Sequence, residues 1–171
     1  AEAEAATQPD AARKDFRTAQ KLYYFGRWPA PLDSAARAAS YRKERGAFMA
    51  AERLAPYEVE ELRADYKGQV VTGVLGMPRG RASVPLVVTI GGLDGWKEAR
   101  FTQMAGLIER GVAVLALDMP GTGESPVKLE PGADQSLIAA LDKALERKTL
   151  DASRVVVYGG SFGGYWSTML A

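Results

Sequence analysis

The segment Gly159-Gly160-Ser161-Phe162-Gly163-Gly164 sets a serine between glycines two residues away on either side, the G-x-S-x-G spacing. A serine hydroxyl becomes a useful nucleophile only when a base takes its proton and the backbone aims it into a cleft. A strand-to-helix elbow does the aiming. It holds the serine in a strained conformation, and glycines at 159 and 163 remove the Cβ atoms that would collide across the tight turn. The N–H of Phe162, at the start of the helix that follows, points at the position where a tetrahedral oxyanion would form. Ser161 is therefore the expected catalytic nucleophile, Phe162 an oxyanion donor, and Gly159 and Gly163 the elbow glycines.

Alone, this spacing is weak, since it arises by chance in roughly one chain of this length in fifteen to twenty. Its setting strengthens it: the apolar strand Val155 to Tyr158 precedes it and an apolar helix, Tyr165 to Ala171, follows. The competing reading is a glycine-rich packing turn.

Two more glycine loops follow buried strands, at the strand ends where open α/β sheets bind ligands. Gly91-Gly92-Leu93-Asp94-Gly95 allows the backbone to approach a substrate, and the N–H of Leu93 or Gly92 is the expected second oxyanion donor, against a simple tight turn. In Asp118-Met119-Pro120-Gly121-Thr122-Gly123-Glu124-Ser125 the pair Gly121 and Gly123 has part of a dinucleotide fingerprint, but Pro126 stands where the third glycine is required. A structural turn is expected there, and Ser125 has no elbow around it. No glycine loop is followed by a phosphate-binding lysine, so no cofactor is expected.

The chain has no Cys and no His, so it offers neither a disulfide nor a thiolate metal site, and no metal is expected. The missing His matters more. Imidazole is the usual general base near neutral pH, and these residues cannot supply one.

The positioning elements can be read from periodicity. Two helices come first, one from about Asp10 to Tyr24 and one from about Ser34 to Leu54, with Asp33 and Ser34 at the N-cap of the second. Gly26, Pro29 and Pro31 separate them. The aromatic cluster Tyr23, Tyr24, Phe25 and Trp28 is expected to form a hydrophobic seam between the helices, with pocket lining as the alternative.

From Tyr57 a β-hairpin is expected, turning at Lys67-Gly68 and returning over Val70 to Met77. Strands follow at Leu86 to Ile90, Val112 to Leu117 and Val155 to Tyr158. One intervening helix carries Phe101, Met104, Leu107 and Ile108 and stops at Gly111; the other, capped by Asp134, carries Leu137, Ile138, Leu141 and Leu145. This alternation predicts right-handed crossovers and a mostly parallel sheet with helices on both faces.

The 171 residues suffice for one packed domain or part of one, and 22 basic against 21 acidic residues give no reason to expect nucleic acid or an anionic membrane as partner. No apolar run is long enough to span a bilayer. Ala1 to Ala6 has neither an initiator Met nor the apolar core of a signal peptide, so a processed or trimmed start is expected. Localisation stays undetermined, the cytoplasm being slightly favoured over a secreted or periplasmic site.

Three segments together resemble the α/β-hydrolases of the FrsA-like esterase and 2,6-dihydroxypseudooxynicotine hydrolase group: Ile90 to Glu98, Asp118 to Ser125 and Gly159 to Gly164. The N-terminal helices are similar as well, so the resemblance runs from about Phe16 to Ala171. It implies an α/β-hydrolase fold, truncated after the nucleophile elbow, with residues 1–56 as an N-terminal, lid-like helical segment and 57–171 as the N-terminal part of the core. It also implies a Ser-Asp-His triad acting on an ester or related carbonyl substrate, or on a carbon–carbon bond beside a carbonyl. In that group the acid and histidine follow the nucleophile. Here the chain stops about ten residues past Ser161. Both are therefore expected outside it, through truncation or on a second chain, and the isolated segment is expected to be inactive. A non-catalytic binding module on a hydrolase scaffold is the reading from a different class.

Overall fold

The computed structural model describes residues 7–28, 30–31 and 34–171. Ala1 to Ala6, Pro29 and Asp33, which figured in the readings above, lie outside the described residues. The chain divides into two compact units, Ala1–Pro56 and Tyr57–Ala171.

The first unit holds two helices, α1 (Pro9–Gly26) and α2 (Ala35–Arg53). Pro9 suits the first turn of α1, where no intrahelical donor is needed, and Asp10 adds a favourable charge there. Ser34 caps α2, its Oγ accepting from the Arg37 N–H at 3.2 Å.

The expected aromatic seam does not form. Tyr23, Tyr24 and Phe25 are consecutive on a helix and so point about 100° apart, which denies them a common face. Tyr24 meets Phe25 and Trp28 edge-on at 5.3 and 6.3 Å, but Phe25 is 65% exposed. Ion pairs link the two helices instead: Arg27 Nε lies 3.0 Å from Glu44 Oε2, both side chains being buried, and Arg17 pairs with Glu52. The Arg27 guanidinium also lies over the rings of Tyr24 and Tyr41, at 4.8 and 5.7 Å. Burial pulls Arg27 below the usual arginine range, and the Glu44 charge opposes that shift.

The second unit is built on a five-stranded sheet in the order β1-β2-β4-β3-β5. The strands are β1 (Glu58–Tyr66), β2 (Gln69–Met77), β3 (Val84–Ile90), β4 (Ala113–Leu117) and β5 (Leu150–Gly159). Lys67 and Gly68 both take positive φ, 52° and 76°, which is the twist a two-residue hairpin turn requires, and Tyr66 consequently pairs with Gln69. β2 then runs antiparallel to β4, whereas β3 lies parallel to β4 on one side and to β5 on the other. The sheet is thus mixed rather than mostly parallel, because the tight hairpin delivers β2 to the edge of β4 in the opposite sense.

Helices cover both faces. On one, Leu137, Ala140 and Ala144 of α5 (Asp134–Leu145) and Trp166 of α6 (Gly163–Leu170) join Leu75, Val88 and Leu115 in the main core. On the other, Gly76 admits a helix so closely that an added Cβ would lie 2.4 Å from Ile108 Cδ1 and 2.6 Å from Phe101 Cζ. Five consecutive buried residues in β4, Ala-Val-Leu-Ala-Leu, reflect this two-sided cover.

Two helix readings need correction. The helix after β3 splits into α3 (Lys97–Met104) and a single turn, α4 (Gly106–Glu109), with the break at Ala105, before Gly111 ends the segment at φ 92°. Asp134 is not the cap of α5. Helical turns already begin upstream, with Ala133 N–H donating to Glu130 O and Gln135 N–H to Gly132 O, so Ala133 is the N-cap and Asp134 lies in the first turn. Finally, β5 starts earlier than expected, at Leu150. Asp151 there accepts bonds from Ser153 Oγ (2.6 Å), Arg154 Nε (2.7 Å) and Ser83 Oγ (3.1 Å).

Candidate active site

The turn between β5 and α6 holds Ser161 at φ 56°, in the left-handed region. That conformation costs a non-glycine residue about 1–2 kcal/mol and persists only where the surroundings enforce it. Three main-chain bonds do so here: Gly160 N–H to Ile90 O at 3.1 Å, Gly163 N–H to Gly160 O at 2.9 Å, and Gly164 N–H to Ser161 O at 2.9 Å. The flanking glycines are required by contact. A Cβ on Gly159 would lie 2.0 Å from Gly163 O, and one on Gly163 would lie 2.2 Å from Ile90 O. Crowding of backbone on backbone thus drives the Ser161 side chain outward, and the residue is exposed.

The loop after β3 reaches the same point. A Cβ placed on Gly92 would lie 3.0 Å from Ser161 Cβ, 3.1 Å from Ser161 Oγ and 3.3 Å from the Phe162 N. Gly92, Ser161 and Phe162 are therefore brought together. Leu93 is adjacent but 59% exposed, and its carbonyl accepts from Trp96 Nε1 at 3.1 Å. Phe162 is the N-cap of α6, its ring stacked on Tyr165 at 5.6 Å and edge-on to Trp166 at 6.3 Å.

Two cations near these loops escaped the sequence reading. Lys97, the first residue of α3, is 1% exposed and lies among Asp118, Glu124 and Glu98. Arg100, one turn further along, reaches the turn that holds Ser161. Its guanidinium would be 3.3 Å from a Cβ on Gly160, lies 5.4 Å from the Tyr158 ring centroid, and reaches Thr89 Oγ1 at 3.4 Å. A lysine or arginine beside a glycine loop reads as surface, and only the adjacency of Lys97 and Glu98 to that loop offered a signal.

The loop after β4 folds back on itself. Gly121 N–H donates to Val127 O at 2.8 Å, Thr122 Oγ1 to Met119 O at 2.9 Å and Ser125 Oγ to Val127 O at 3.4 Å. Among the described residues no group of three or more His, Cys, Asp or Glu side chains is arranged to hold a metal.

A mixed sheet with a parallel β4-β3-β5 core, helices on both faces and a serine turn between β5 and α6 defines this protein as an α/β-hydrolase fold. Solved structures carry the same architecture. The 2,6-dihydroxy-pseudo-oxynicotine hydrolase matches 96% of this chain and 48% of its own, with a TM-score of 0.78 at 21% identity. AbyA5 matches 90% of this chain and 45% of its own, with a TM-score of 0.76 at 27% identity. More narrowly, the model of the esterase FrsA-like family matches residues 1–171, and the chain belongs to that family. It is 33% identical to esterase FrsA of Citrobacter koseri over an alignment of 170 residues that covers 96% of this chain and 41% of that protein. Against esterase FrsA of Salmonella paratyphi B it is 36% identical over 107 residues, 61% of this chain and 26% of that protein. The chain therefore spans well under half the length of these relatives.

Proposed function

We propose that this chain carries the nucleophile and oxyanion hole of a serine esterase. The observation behind this reading is the meeting of Gly92, Ser161 and Phe162 around a serine held at φ 56°. Ser161 Oγ attacks the carbonyl carbon of a carboxylic ester while a general base takes its proton. The carbonyl oxygen becomes an oxyanion and accepts the N–H of Phe162 together with an N–H from Gly92 or Leu93. Collapse expels the alcohol, which takes up the proton, and leaves an acyl-serine that water then hydrolyses by the same steps.

The 171 residues contain no His. The base and the acid that orients it are assigned to the part of the full-length protein that follows Ser161, in the chain order of this fold. The isolated segment is accordingly inactive on this reading. The helical unit, residues 1–56, is assigned a lid-like role, supported by the exposed rings of Phe25 and Trp28. Trp28→Ala should change the preference among ester acyl chain lengths. A change in stability alone would assign the ring to packing.

The function is tested in the full-length protein by hydrolysis of a short-chain aryl ester. Ser161→Ala should lower kcat at least about a thousandfold while the melting transition stays cooperative. Near-normal turnover by that variant overturns the reading.

A further inference from the structure

Burying an ammonium is expensive unless its hydrogens are all engaged. Lys97 meets that condition. Its Nζ lies 2.7 Å from Glu124 Oε2, 2.8 Å from Asp118 Oδ2 and 3.3 Å from Glu98 Oε1, giving three carboxylates for three N–H donors. Lys97, Glu98 and Asp118 are almost wholly buried, and about a third of the Glu124 side chain is exposed.

Asp118 extends the arrangement into the main chain. Its Oδ1 accepts the Lys97 N–H at 2.8 Å, and its Oδ2 accepts both the Lys97 ammonium at 2.8 Å and the Glu124 N–H at 3.0 Å. Trp96, the N-cap of α3, makes no side-chain cap bond. Asp118 supplies the missing acceptor from another loop, with its charge at the favourable end of the helix. Side chain and backbone of Lys97 are thus both tied to the end of β4.

This fixes the far end of the Gly91–Trp96 loop, whose near end is held by β3. Between the two ends the loop closes tightly enough that a Cβ on Gly91 would lie 1.5 Å from Gly95 O. Gly92, which sits against Ser161, lies between these two anchors.

We propose that Lys97 is a positioning residue for the oxyanion hole: through Asp118 it holds the loop that carries Gly92 in register with Ser161. The inference rests on the esterase reading above and adds a residue that touches neither substrate nor nucleophile. Misplacing an oxyanion donor by about 1 Å costs on the order of a hundredfold in rate, so the effect falls on the chemical step rather than on substrate binding.

The test uses the full-length protein and 4-nitrophenyl acetate, with Lys97→Met, Glu124→Ala and Ser161→Ala compared side by side. Lys97→Met keeps the stem and removes the charge. It should lower kcat per active site about a hundredfold with KM within about twofold. Glu124→Ala removes the most exposed of the three partners and should lower kcat by about threefold to tenfold. The Ki of an aryl trifluoromethyl ketone, whose adduct oxygen fills the oxyanion hole, should rise in step with the loss in kcat/KM. Loss of folded protein leaves a Ki unchanged, which separates positioning from mere stability. If Lys97→Met does not fold, Glu124→Ala decides by the same two measurements. Folded variants with unaltered kcat and Ki, beside an inert Ser161→Ala, overturn the positioning role and leave the esterase reading standing. An active Ser161→Ala overturns both.

Discussion

The loops after β4 and β5 begin alike: each leaves the end of a parallel strand, is rich in glycine and contains a serine, yet they are built by opposite means. After β5 the constraint is backbone on backbone. Gly159 and Gly163 leave no room for a Cβ, and Ser161 is exposed at φ 56° beside Gly92. After β4 the constraint is a side chain: Asp118 ties down Lys97 and Glu124, while Ser125 Oγ turns inward to Val127 O. Main-chain crowding stores strain and pushes a hydroxyl outward, whereas a carboxylate clamp relaxes a turn and anchors its neighbour. On the proposed reading, only the first arrangement offers a serine hydroxyl to a substrate.

Substitutions that attack each device should separate the two loops. The largest effect is expected from Gly163→Ala, whose Cβ would lie 2.2 Å from Ile90 O and 2.6 Å from Gly91 O. Neither oxygen can retreat without parting the end of β3 from the turn after β5, so a loss of about 3 kcal/mol or more is expected in chemical denaturation. Gly123→Ala strikes the other device. At φ 57° its Cβ would fall 2.2 Å from Asp118 Oδ2, and that buried carboxylate can move aside only by loosening its bonds to Lys97 and Glu124, so about 2–3 kcal/mol is expected.

The other end of β5 supplies a smaller effect, with a sign fixed by pH. Hydrogen bonds from Ser153 and Arg154, then Ser83, hold the Asp151 carboxyl well below the usual carboxylate range. A depressed folded-state pKa contributes stability above the unfolded value of about 3.9, and that contribution is lost as pH falls through the folded value. Asp151→Asn should therefore be less stable at pH 7 and show a shallower decline in acid, as read from melting temperature against pH. Asp151 is half-buried, but its partners Arg154 and Ser83 are exposed, so the change should be small. Smallest of all should be Ser125→Ala: stability within about 0.5 kcal/mol and ester turnover within about twofold of the parent. A large loss of turnover there would dissolve the distinction between the loops.

How much of this was legible depends on the kind of contact. The tight turn between β5 and α6 could be read because its constraint is local: glycines at fixed offsets from Ser161, bounded by an apolar strand and an apolar helix. The strands were legible from their β-branched runs, but the order β1-β2-β4-β3-β5 was not, since nothing local states which edge the hairpin joins. Consecutive aromatics at the end of α1 suggested a seam, but successive residues diverge around a helix, and Tyr23, Phe25 and Trp28 stay exposed. Asp134 looked like a cap because it precedes an apolar period, yet the helical turns already begin upstream of it. Lys97 was the least visible. Periodicity reports where apolar side chains are buried, and a buried ammonium is fixed by carboxylates at positions 98, 118 and 124, which only the tertiary structure gathers.

The central claim, that Ser161 rather than any other hydroxyl is the nucleophile, is tested most directly by covalent labelling. The full-length protein would be treated with a fluorophosphonate at neutral pH, digested, and mapped by mass spectrometry. One adduct is predicted, on Ser161, lost on prior denaturation and in Ser161→Ala but retained in Ser125→Ala. An unlabelled native protein, or an adduct on Ser125 or another residue, would contradict the account.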